Sequence, residues 1–66
     1  MTHSLAKMLL VINVTEIIAD EYHLSLKEAR DELYKSGMVD LIENDETGLY
    51  GESPQYCFSV YQARKK

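Results

Sequence analysis

The sequence predicts an all-α fold, a small bundle of three to four helices with a long first helix. Three observations predict it. Helix-forming residues run without a breaker from Ser4 to about His23. Ser25-Leu26-Lys27-Glu28 has the form of a capping box, with Gly37 placed to end the helix it begins. Ser53-Pro54 puts a capping hydroxyl and a helix-initiating proline directly ahead of the final segment.

Within the first helix, Asn13, Glu16 and Asp20 recur at spacings of three and four and so share one face, while Val11, Val14, Ile18 and Tyr22 line another. The front half departs from this pattern. Leu5, Met8, Leu9, Leu10, Val11 and Ile12 cover most of the helix circumference, more apolar surface than one packing partner can bury. A Val- and Ile-rich run also fits a buried strand, but its length and the polar stripe favour helix.

The second helix carries Leu26, Ala29 and Leu33 on one face, and Met38 follows Gly37 where a helix-ending motif returns an apolar contact to Leu33. Val39, Leu41 and Ile42 predict a short third helix. The polar stretch Asn44 to Gly48 reads as a loop. Residues 56–61 have the aromatic and β-branched content of a strand together with the spacing of a helix; the Ser53-Pro54 start favours helix, with Arg64, Lys65 and Lys66 complementing the negative end of its dipole or simply solvating the terminus.

Composition narrows the function classes. A domain of 66 residues buries only about 60% of the surface its unfolded chain exposes, so it gains from a disulfide, a metal or a second subunit. Cys57 is the only cysteine, which excludes an internal disulfide and reads as a small buried apolar side chain rather than a reactive thiol. His3 and His23 have no cysteine at zinc spacing, so no metal or other cofactor is expected. Association remains. Eleven acidic against seven basic residues give a net charge of −4, which repels phosphate backbones. The first residues lack the basic cluster of a signal peptide, and the run Met8–Ile12 is far shorter than the ~18 residues of a membrane span. The expectation is a cytoplasmic protein without a membrane or nucleic-acid partner.

Asp40, Glu43, Asp45, Glu46 and Glu52 do not alternate as calcium ligands do, and read as a solvated loop. Residues 26–44 have the outline of a helix-turn-helix, the alternative reading being a small DNA-binding regulator. Against it, the segment in the recognition position carries Asp40 and Glu43 and no cation. No serine or cysteine stands with an evident base, and no catalytic residue is assigned. Five tyrosines without a tryptophan suit core edges and interfaces alike. Gly48-Leu49-Tyr50-Gly51 places a large apolar pair between glycines. Leu49 and Tyr50 are therefore candidate anchors of that loop to the core, with a binding loop as the sharper alternative.

The segments Leu33-Tyr34-Lys35-Ser36-Gly37, Leu41-Ile42 and Thr47-Gly48-Leu49-Tyr50-Gly51-Glu52-Ser53-Pro54, with Tyr56, resemble a family of short uncharacterised bacterial proteins grouped as a domain of unknown function. Members of that kind often sit in small gene clusters, some beside toxin-like genes. The resemblance implies an accessory or antitoxin-like binding role and transfers no catalytic residue. The functional expectation is a non-catalytic protein–protein interaction module, self-associating or binding another chain, with Leu5, Met8, Leu9 and Ile12 as the candidate interface.

Overall fold

A computed structural model describes residues 4–65. Four helices are joined by short turns: α1 (Ser4–Tyr22), α2 (Leu26–Lys35), α3 (Met38–Glu43) and α4 (Pro54–Lys65). Two single 3₁₀ turns, Asp45–Thr47 and Leu49–Gly51, link α3 to α4, and there is no strand among the described residues. The fold is thus a small all-α bundle with a long first helix, and residues 56–61 lie in α4.

The nineteen residues of α1 extend roughly 28 Å at 1.5 Å per residue. That length accounts for most of the molecule's 33 Å long axis, so α1 is the spine on which α2, α3 and α4 pack. Leu10, Val14 and Ile18 lie four positions apart in turn and are buried in the core with Ala29 and Leu33 of α2, Met38, Val39 and Ile42 of α3, and Cys57 and Tyr61 of α4. Thr15 is the one buried polar residue among those described, and its hydroxyl donates to the Val11 carbonyl at 2.7 Å.

Each helix end has a local cause. His23 follows α1 in the left-handed region (φ 57°), and the Leu24 amide donates to the Ala19 carbonyl at 2.9 Å, the long bond of a Schellman turn. The capping box opens α2: Glu28 N–H donates to Ser25 Oγ and Ser25 N–H donates to Glu28 Oε1, both at 3.1 Å. At the other end of α2, Gly37 (φ 83°) turns the chain and donates to Tyr34. The Ser36 hydroxyl bridges the rest of that turn, accepting from the Met38 amide at 3.2 Å and donating to the Leu33 carbonyl at 2.7 Å. Ser53 Oγ accepts from the Tyr56 amide at 3.1 Å and starts α4 behind Pro54.

Three expectations are corrected. Leu26 does not share the buried face of Ala29 and Leu33; it is 58% exposed and lines an open surface groove with Val11, Ile12 and Thr15 of α1. The stretch read as loop from Asn44 to Gly48 contains a 3₁₀ turn, Asp45–Thr47, capped by Asn44, whose Oδ1 accepts from Glu46 N–H at 2.9 Å. Arg64, exposed in the last turn of α4, does more than solvate the terminus or complement its own helix. Its Nε donates to the Ser36 carbonyl at the end of α2, 2.9 Å away.

Candidate functional site

The face of α1 opposite the core is apolar. Leu5, Met8, Leu9 and Ile12 fall at i, i+3, i+4 and i+7 and are 63%, 54%, 49% and 47% exposed. The same helix is therefore apolar on two sides: one side makes the core through Leu10, Val14 and Ile18, and the other faces outward.

Between α1 and α2 lies an open groove with two joined lobes of about 710 and 340 Å³. Val11, Ile12 and Arg30 line both lobes and mark its middle. At the α1 N-terminal end the walls are Lys7, Met8, Tyr34 and Glu43; at the other end they are Thr15, Glu16, Leu26 and Lys27. Leu26, Arg30 and Tyr34 are spaced by four, so α2 presents one stripe to the groove, and Leu26 and Tyr34 are both more than half exposed. The groove and the outer stripe of α1 meet at Met8 and Ile12, giving one continuous apolar surface.

The surface also holds charges. Lys27 stands with Glu16 at one end, Arg30 in the middle lines both lobes, and neither cation forms an ion pair among the described residues. At the other end Lys7 is committed. Its Nζ donates to the Glu43 carbonyl at 2.9 Å, pairs with Asp45 and lies 5.5 Å from the centre of the Tyr50 ring. Lys7 thereby closes the C-terminal end of α3 from α1, as Arg64 closes that of α2 from α4.

Leu49 and Tyr50, the candidate loop anchors, lie away from the groove lining. Leu49 is buried in the core and Tyr50 is half-buried beneath Lys7. The Leu49 carbonyl faces Cys57 Sγ at 3.8 Å, and the Leu49 amide donates to Thr47 Oγ1 at 3.2 Å. Burial, and secondarily the nearby Glu52 carboxylate, push the Cys57 thiol above its ordinary value, which keeps it protonated at neutral pH.

Among the described residues, no group of three or more His, Cys, Asp or Glu side chains is placed to hold a metal ion. His3 lies outside them. No described helix is long and apolar enough to cross a membrane. The α3 segment in the recognition-helix position has six residues, of which Met38, Val39 and Ile42 are buried, and it turns Asp40 and Glu43 outward.

The four stripe residues were legible in the sequence because each belongs to one helix. Arg30, Tyr34 and Leu26 were not singled out as a second wall. Their spacing of four on an otherwise charged helix was the available signal, but which face of α2 turns toward α1 is a property of the packed pair. No protein-family model, no curated protein and no solved structure matches this chain. The class that fold and surface define is a small α-helical bundle bearing an exposed apolar face.

Proposed function

We propose that this protein is a non-catalytic interaction module that acts by docking another protein chain on the outer stripe of α1, a second copy of itself being the first such partner. The observation that carries the reading is the half-exposure of Leu5, Met8, Leu9 and Ile12 at interface spacing on a helix whose other face already makes the core. Contiguous apolar surface of this kind favours association because each large side chain removed from water contributes about 1.5–3 kcal/mol when fully buried. The resemblance of the Leu33–Gly37 and Thr47–Pro54 segments to a family of short uncharacterised bacterial proteins implies, as part of this proposal, an accessory or antitoxin-like binding role in the cytoplasm. The outward carboxylates of α3 and the net charge of −4 weigh against a DNA partner.

The test is light scattering over a range of concentrations on the wild type and Leu9→Glu. Self-association predicts a mass that rises with concentration for the wild type and stays at one chain for the variant. A Leu9→Glu protein with unchanged mass behaviour and unchanged thermal stability would remove the stripe from both core and interface and end this reading.

A further inference from the structure

We infer that the groove between α1 and α2 receives an amphipathic helix of another protein, one whose apolar face is flanked by carboxylates on the side that meets α2. This rests on the reading of the chain as an interaction module and adds a second surface beside the outer stripe of α1, with the chemistry of its partner.

The walls make the occupant a helix. Both are α-helices, whose backbone donors and acceptors are bonded within the helix, so the groove offers side chains and no free backbone group. An extended chain laid there would bury its own N–H and C=O groups without partners, whereas a helix brings them already paired. Leu26, Arg30 and Tyr34 stand one above another along about 12 Å of α2, so a helix of about three turns covers that wall from end to end.

The charges set its chemistry. The chain has eleven acidic and seven basic residues, yet the groove is lined by three cations, Lys7, Lys27 and Arg30, and by two carboxylates, Glu16 and Glu43. Neither carboxylate belongs to α2, and the acids of that helix, Glu28, Asp31 and Glu32, do not line the groove. The α2 wall is therefore cationic and apolar only. Lys7 is already engaged by Asp45, but Lys27 and Arg30 form no ion pair among the described residues. Arg30 stands between Leu26 and Tyr34, both more than half exposed, and arginine beside tyrosine is the pairing that carries binding energy where proteins meet. Carboxylates on the flank of an incoming helix complete Lys27 and Arg30 while its apolar face covers Met8, Val11 and Ile12.

The test is a display selection with the full chain as bait. The library is a helix of about twelve residues with leucines fixed along one face at spacings of three and four, and with glutamate, lysine or serine allowed on each flank. Glutamate is expected to be enriched on one flank only. By fluorescence anisotropy, the selected peptides are expected to bind about tenfold or more weakly to the double variant Lys27→Glu, Arg30→Glu, and with wild-type affinity to Asp31→Lys, which changes charge on α2 outside the groove. Circular dichroism checks that both variants fold. Enrichment of lysine or serine, no enriched binder, or an equal loss in Asp31→Lys would overturn the inference.

Light scattering separates this surface from the α1 stripe. Leu9 does not line the groove, so self-association is expected to be lost in Leu9→Glu and kept in the double variant. Loss in the double variant instead means that a second copy covers the groove, and overturns the inference. A wild type that is monomeric at every concentration and still selects acidic helices supports this inference and removes the self-association reading.

Discussion

The Arg64 guanidinium closes the end of a helix it does not belong to: its Nε donates to the Ser36 carbonyl at 2.9 Å, and its Nη2 lies 2.9 Å from where a Cβ on Gly37 would stand. The carbonyls at the end of α2 carry the negative pole of that helix, so a cation there both satisfies an open acceptor and meets favourable charge.

Arg64→Ala is therefore expected to lower unfolding free energy by about 1 kcal/mol, the lower range for a charged donor because water competes at this exposed site. Gly37→Ala should cost about 1–2 kcal/mol from its left-handed backbone, with a further increment from the clash with Arg64. In the double variant that increment disappears. Urea titrations of the four proteins check this, since the sum of the single effects must exceed the double effect.

Two of the contacts made by Lys7 differ in worth. Asp45 is 68% exposed on its side chain, so the ion pair is weakened by solvent, whereas the bond to the Glu43 carbonyl closes the end of α3. Lys7→Met is expected to cost about 1 kcal/mol and Asp45→Asn less than half of that. Thermal melts at low and high salt distinguish the two contributions, because only the ion pair is screened.

His23 holds a left-handed conformation at the end of α1 with a side chain that is exposed. Replacement by glycine removes the Cβ strain and costs some chain entropy in the unfolded state. The balance for His23→Gly is a gain of about 0.5–1 kcal/mol, visible as a higher denaturation midpoint with an unchanged slope.

Two buried acids link stability to alkaline pH. Burial first, then Glu52, raises the Cys57 thiol above its ordinary 9.0; burial first, then Glu32 and Tyr22, raises the Tyr61 phenol above its ordinary 10.0. In each case the unfolded chain releases its proton at lower pH than the folded one. Their contribution is fully present below the unfolded values and is lost as pH rises from about 9 through the folded values. Stability is expected to fall above pH 9, and less steeply in Tyr61→Phe and Cys57→Ala. Equal slopes in wild type and variants would contradict this account.

The fold was legible where its signals are local. A capping hydroxyl three residues before a glutamate, a proline behind a serine and a glycine at a helix end all act within one or two turns, so the limits of α2 and the start of α4 followed from the residues alone. The exposed stripe was legible for the same reason, since periodicity within α1 reveals a surplus of apolar faces. Leu26 was misplaced because periodicity says which residues share a face and not how far along the helix the packing extends.

What the sequence by itself determined is the helical class, the order and ends of its helices, and the excess apolar surface of α1. Only the tertiary structure decided that α2 walls a groove with Leu26, Arg30 and Tyr34, and that Lys7 and Arg64 close the ends of α3 and α2. The physical reason is separation along the chain. Lys7 lies 36 positions from Glu43 and Arg64 lies 28 from Ser36, and no local rule relates such partners until the bundle has brought them together.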